Sequence, residues 1–396
     1  MPRVMKKARN IALLLISCAW LLTFVGRITP STLLVQIVNS VGITDIEAGI
    51  ALSSMWLLYG IMQYPGGAWS DVQGRKRIIV ISLVCFTFAS FFMAINWNFL
   101  SVLLTFSFMG FAAGILPAPS FTMIAELFGP RKGQALGIHS SIGSLSGLAP
   151  VILPFIAYSI GWRSVFLIWG VFGVILTILF LFYVKETLIE PVKQRQSAQL
   201  KMGLQAFFEK DTLFMFIINI VITFAWMGLL SWFPTYIQQV KGFSPEIAGI
   251  LFSIMLSGSL LFKPIIGRLS DKMNHLFIMG LLTLMAGVSL FFLTIETSLV
   301  GLIIATFVFS QTGAFYPVRT SYLMDLWEKK TAGTKIGIFR SLIVLIGSPV
   351  AGIIGWSKGL YGFNAIFLLM AIGLFITACS LFIYLGFMAK INHNTK

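Results

Sequence analysis

Four basic side chains of this 396-residue chain, Arg27, Lys263, Arg319 and Arg340, fall inside long apolar runs rather than between them. A cation in a bilayer interior costs roughly 2.5–3.5 kcal/mol on insertion scales, so it normally faces a cavity and a counter-charge. None of the 13 acidic residues lies in the interior of a run, Glu246 standing at the very start of one. Interior cations without interior anions point to one chemistry, the capture of an anion arriving from solution. A guanidinium suits that task because its paired donors match a carboxylate or phosphate. At ~1.5 Å per helical residue, Arg27 lies close to the midplane, and Lys263 and Arg340 lie ~9–10 Å to one side of it. Arg319 falls nearer the interface, where snorkelling to water would satisfy it.

The elements that must position these residues follow from composition. The chain is 58% hydrophobic and only 10% charged, with a mean hydropathy of +0.93. Soluble domains carry roughly 25% charged residues, so a soluble enzyme is excluded, and so is a disordered chain. Continuous apolar runs also exclude a β-barrel, whose strands alternate. The runs 11–38, 48–69, 78–95, 99–121, 134–158, 164–184, 213–237, 246–267, 276–295, 299–322, 335–357 and 363–387 predict an all-α polytopic membrane protein of twelve transmembrane helices. One polar stretch, KETLIEPVKQRQSAQLKMGLQAFFEKD, interrupts them. The expected organisation is an N-terminal six-helix bundle over 1–184, a linker over 185–211 and a C-terminal six-helix bundle over 212–396. The first run is too long for a cleaved signal peptide and reads as the first span. Cys18, Cys85 and Cys379 all sit in apolar runs, without disulfide or metal spacing.

The net charge of +15 acquires meaning from its placement. With twelve spans, 21 of the 28 cations fall on the side of the termini, three on the other side and four inside the runs. The bias places both termini in the cytoplasm. It makes the basic balance a topology signal in a cell membrane, inner or plasma, and not a nucleic-acid footprint. No cofactor and no metal are expected, and the partners are the lipid bilayer and a small molecule.

The two halves resemble each other at an offset of 200 residues. Gly67, Ser70 and Asp71 match Gly267, Ser270 and Asp271, and Gly137, Ile138, Ser141, Leu145 and Gly147 match Gly337, Ile338, Ser341, Leu345 and Gly347. Duplicated halves place a binding site at the midplane between them. Beside Arg27, Lys263 and Arg340, the polar and aromatic candidates for that site are Tyr59, Gln63, Trp226, Gln311 and Tyr316. Asn219 is a further polar residue in the seventh run. His139 is the interior group whose ordinary pKa lies near neutrality, which makes it the candidate for proton coupling. A neutral, packed histidine is the plainer reading of it.

The segment Gly67-AWS-Asp71-VQ-Gly74-Arg75-Lys76-Arg77 carries a recognisable pattern. It resembles the loop between helices two and three of the major facilitator superfamily (MFS), and Gly267-RLS-Asp271-Lys272 resembles its degenerate copy. Gly161-Trp162-Arg163 and Trp232-Phe233-Pro234-Thr235-Tyr236 are also similar to common family patterns. The resemblance spans the chain and implies the family's twelve-helix fold and alternating access. It implies a conformational latch at Gly67, Asp71, Gly74, Arg75, Glu126, Gly267 and Asp271. In it Asp71 faces the start of helix eleven near Thr334, Arg75 pairs with Glu126, and Asp271 faces the start of helix five. The function expected on these grounds is a secondary transporter, symporter or antiporter, moving a small organic anion such as a carboxylate or phosphorylated metabolite. Organic-anion members of the family often place an Arg where Arg27 stands. The alternative is an efflux protein for amphipathic drugs or toxic compounds. Nothing in the motifs points to an enzyme, and a monomer is expected.

Overall fold

Hydropathy and caps together set where each helix begins and ends. The computed structural model describes residues 3–187, 209–327 and 332–394. The first crossing is Arg3–Thr32, continued beyond Leu33 as Leu34–Val41. Asp45–Gln73 and Arg75–Ala94 form the second and third. The fourth is Phe99–Ile115 with Pro117–Phe128, the fifth Lys132–Ser144 with Ala149–Ile160, and the sixth Trp162–Tyr183. The second half repeats the order, with Lys210–Gln239, Pro245–Ser257 with Ser259–Ser270, and His275–Ile295 as crossings seven to nine. Crossing ten is Leu299–Ser310 with Phe315–Leu326. Crossing eleven begins as Ala332–Gly347, and Gly362, at φ 74°, turns its continuation into crossing twelve. Most of the expected linker (188–208) lies outside the described residues, as does the side chain of Thr334.

Several helices, such as Asp45–Gln73 and Lys210–Gln239, overrun their apolar runs at both ends, because backbone hydrogen bonding continues past the last apolar residue. Polar caps then stop them. Thr44 and Glu47 close a capping box before the second crossing, and Asn98 with Ser101 does the same before the fourth. Breaks inside crossings recur at equivalent places in the two halves. Residues 145–148 interrupt the fifth crossing just before Pro150, and Ser348–Pro349 interrupt the eleventh. These are the regions of the 200-residue repeat. Proline has no N–H to donate and crowds the preceding turn, so it breaks a helix there.

Glycines bring the second and fourth crossings into backbone contact. A Cβ added at Gly110 would lie 2.1 Å from the Met55 carbonyl oxygen, and one at Gly66 would lie 2.5 Å from Ile115 Cα. Small residues allow such approach where no hydrophobic effect drives helices together. Gly110→Val is expected to lower the stability of the detergent-purified protein by about 1–3 kcal/mol, the usual cost of overpacking. A thermal-unfolding midpoint unchanged from the parent would refute this.

The halves meet at the end away from the termini. There the second crossing packs on the eleventh, and the fifth on the eighth. A Cβ at Gly49 would lie 2.6 Å from the Ala351 carbonyl oxygen, and one at Gly249 would lie 2.1 Å from that of Pro150. The Gly352 N–H donates to Ser53 Oγ at 2.8 Å. Lys358 Nζ lies 2.7 Å from Asp45 Oδ2, the one ion pair between the halves among the described residues. At the opposite end the segments Lys132–Ser144 and Ser259–Ser270 pack within their own halves. Added Cβ atoms at Gly133, Gly137, Gly267 and Gly337 would meet nothing. The two bundles are closed at the far end and splayed at the end that carries the termini.

Candidate functional site

Between the splayed halves lies a cavity of about 650 Å³. The first and second crossings contribute Phe24, Arg27, Trp56 and Tyr59 to its wall. Facing them are Thr223 and Trp226 of the seventh, Tyr316, Arg319 and Thr320 of the tenth, and Arg340 of the eleventh. The sequence candidates Arg27, Tyr59, Trp226, Tyr316 and Arg340 therefore converge.

Arg27 is 3% exposed, and rings hold it where a carboxylate would otherwise be needed. Its guanidinium carbon lies 4.1 Å from the Tyr59 ring centroid, 4.7 Å from Phe24 and 5.7 Å from Trp56. Cation–π attraction of this kind offsets part of the cost of burial. Its Nε donates to the Thr23 carbonyl at 3.4 Å. Among the described residues Arg27, Arg319 and Arg340 have no carboxylate partner.

Arg319 departs from expectation. It does not snorkel. It is 3% exposed and lines the cavity. Its Nη1 donates to Asn219 Oδ1 at 2.9 Å and its Nη2 to Thr320 Oγ1 at 3.3 Å. Asn219 is wholly buried, and its Nδ2 donates to the Met215 carbonyl at 3.0 Å, which turns the amide oxygen toward Arg319. A neutral amide a hundred residues away stabilises the guanidinium inside, so no reach to water is needed.

Three candidates are not in the cavity lining. Lys263 is exposed and stands beside the break in the tenth crossing, with Cε 3.8 Å from a Cβ added at Gly313. Gln311 is buried, and its Nε2 donates to the Leu282 carbonyl at 2.8 Å, which ties crossing ten back to crossing nine. Gln63 is half-buried in the second crossing. His139 also lies away from the cavity. Ser17 donates its hydroxyl proton to the Leu13 carbonyl, so its oxygen is left to accept from His139 Nδ1 at 3.1 Å. Trp20 and Phe121 flank the imidazole with centroids 5.6 and 5.3 Å away. This is the surrounding of a packed histidine.

At the termini end, Arg75 is buried and joins the loop motif to the fourth crossing. Its Nη1 lies 2.5 Å from Asp71 Oδ1 and its Nη2 3.3 Å from Glu126 Oε1. Gly74 sits at φ 105°, and a Cβ there would lie 2.4 Å from Glu186 Oε2. Glu186 accepts from the backbone N–H groups of Arg75 and Lys76, at 2.9 and 3.0 Å, and so caps the third crossing. An anion is favoured at a helix N-terminus. Glu186 was missed as a motif residue because it lies 111 positions away. Gly67 faces Ala118. In the second half Gly267 faces open space, and Asp271 is exposed without an ion-pair partner among the described residues.

The fold and this cavity define an integral, multi-pass helical membrane protein built of two halves around a central site. The Major Facilitator Superfamily model matches residues 15–338 and 215–392, and the chain belongs to that family. It is 27% identical over 376 residues to an uncharacterized MFS-type transporter of Methanocaldococcus jannaschii, covering 88% of this chain and 94% of that one. It is 24% identical to the hexuronate transporter of Bacillus subtilis, over 60% of this chain and 59% of the relative. A likeness of 22% to a probable sulfoacetate transporter of Cupriavidus necator covers 67% of this chain and 66% of that one. Among solved structures, the nucleoside transporter NupG superposes with a TM-score of 0.80 at 14% identity, over 94% of this chain and 98% of that one. A bacterial homolog of the human lysosomal transporter Spinster superposes with a TM-score of 0.79 at 17% identity, over 95% and 96%.

Proposed function

We propose that the protein is a secondary active transporter that carries a small organic anion through alternating access. The observation that carries this reading is the charge of the cavity. Arg27, Arg319 and Arg340 line it, and among the described residues no acidic one does. A bound carboxylate or phosphate would supply the charge that the protein withholds, and would be held by bidentate hydrogen bonds. Arg27 belongs to one half and Arg319 and Arg340 to the other, so one anion can draw the halves together. The hexuronate and sulfoacetate transporters among the relatives point the same way.

The cation bias supports both termini in the cytoplasm, and in that orientation the splayed end faces inward and the closed end faces out. The Asp71–Arg75–Glu126 network then belongs to the inner latch. In this state it holds the loop motif to its own half. Closing the inner side would bring the start of crossing eleven toward Asp71. The second reading, efflux of amphipathic compounds, draws on the aromatic lining and on the multidrug resistance protein MdtG of Dickeya zeae among the relatives.

Proteoliposome uptake separates the two. Saturable uptake of an organic anion that an excess of other organic anions competes for is the expected result. Uptake of cationic dyes alone, with no anion transported at any pH gradient, would overturn the proposal.

A further inference from the structure

The neutral residues of the cavity describe the body of the substrate as the arginines describe its charge. Rings stand on both walls, Trp56 and Tyr59 on one half and Trp226 and Tyr316 on the other. Trp56 and Tyr59 pack edge to face with centroids 5.8 Å apart, and Trp226 and Tyr316 do so at 6.5 Å. The hydroxyls of Thr223, Thr320, Ser321 and the two tyrosines are the neutral oxygen groups of the lining side chains. Among the described residues no Asn, Gln, Asp, Glu or His lines it. The buried indole N–H of Trp56 has no acceptor among the described residues, and neither does Nε of Arg319. Among the described residues the lining side chains offer cationic donors, ring faces and these few hydroxyls, and no carbonyl or carboxylate acceptor.

We propose that the anion is an aryl carboxylate, a flat aromatic body carrying an acid group, rather than a sugar acid or a short aliphatic acid. This rests on the anionic reading above. Sugar hydroxyls are donors as well as acceptors, and each one taken from water without an acceptor keeps its desolvation penalty. An arene makes no such demand. It gains offset or edge-on contact with the facing rings, and its carboxylate takes the free donors of Arg27, Trp56 and Arg319. The Arg27 guanidinium already lies among Phe24, Trp56 and Tyr59, so the acid group meets its cation at the edge of a ring-lined slot.

The test is calorimetric binding to the full-length protein in lipid nanodiscs, with 2-naphthoate, glucuronate and 2-naphthylmethylammonium as probes. The expected result is naphthoate at least tenfold tighter than glucuronate. Trp226→Leu should lower the ratio of naphthoate to glucuronate affinity at least threefold, while Trp226→Phe retains it. Tyr59→Leu, on the opposite wall, should act in the same sense, so a folding defect in one variant leaves the other as evidence. Glucuronate binding as tightly as naphthoate would overturn the aryl assignment and leave the anionic reading standing. The naphthyl cation binding more tightly than naphthoate would overturn both. Naphthoate failing to bind at millimolar concentration would overturn the aryl assignment.

Discussion

Replacing Arg27 with alanine is expected to weaken the apparent affinity for the proposed organic anion by about 10- to 150-fold, while the protein remains folded. The magnitude follows from a hydrogen bond to a charged group, about 1.5–3 kcal/mol, with 1.4 kcal/mol per factor of ten. Folding should survive because Arg27 has no acidic partner among the described residues to strand. Breaking a buried ion pair leaves an uncompensated charge, whereas removing a lone buried cation leaves only rings that pack on one another. The thermal-unfolding midpoint of Arg27→Ala should therefore stay at or above that of the parent. Arg27→Lys keeps the charge and loses the planar fork, so it should fall between the two. The measurements are concentration-dependent uptake into proteoliposomes and thermal unfolding of the same preparations. Normal uptake by Arg27→Ala would remove Arg27 from the site. Loss of uptake together with loss of fold would assign it to structure instead.

The second large effect concerns the closed end. Gly249→Val is expected to abolish closure there and to hold the protein open at the far side. The added side chain would enter the space of the Pro150 carbonyl, 2.1 Å from where its Cβ must sit. Backbone on the facing crossing cannot turn away as a side chain can. Uptake should fall to background while the variant still binds anion. A cysteine placed near the mouth, in the variant and in its parent, should be labelled from the far side much faster in the variant. Asp45→Asn is the graded counterpart. It removes the ion pair to Lys358, whose side chain is 12% exposed, against 35% for Asp45. Pairs this accessible are worth about 0–1 kcal/mol, so the shift toward the open far side should stay within about fivefold. Equal labelling in Gly249→Val and its parent would mean that this glycine does not govern closure.

The largest effects thus fall on residues of opposite visibility in sequence. Arg27 announces itself, because a cation in an apolar run is costly and rare. Gly249 is one of 36 glycines, and its role depends on which backbone lies opposite. The same contrast runs through the site. Trp56 stands three residues before Tyr59, one helical turn away, and could have been added to the candidates from that spacing. Asn219 could be recognised only as a polar residue in an apolar span, since its partner Arg319 is a hundred positions distant. Gln311 and Gln63 look alike in sequence, each a carboxamide in a helix interior. Packing gives the first a carbonyl of crossing nine and leaves both outside the cavity lining.

What the sequence by itself determined was the class of fold. Apolar length, the side chosen by the cations and the 200-residue repeat are each one-dimensional, and each responds to the bilayer, which acts on every segment separately. The motif at Gly67–Arg77 is legible in the same way as a local pattern of residue types, although its bonds reach Glu126 and Glu186, 51 and 111 positions from Arg75. Which of the interior cations share a site was decided by the tertiary structure. Depth along a helix can be counted from residues. Direction around the axis depends on kinks at 145–148, 311–314 and 348–349, and on which glycines admit a neighbour. Lys263 and Arg340 have the same counted depth, yet Arg340 faces the cavity and Lys263 stands outside its lining. Arg319 was counted as near the surface and is buried because Asn219 waits for it on another helix. Charge inside a membrane is legible as a local cost, whereas the partner that offsets it belongs to a different part of the chain.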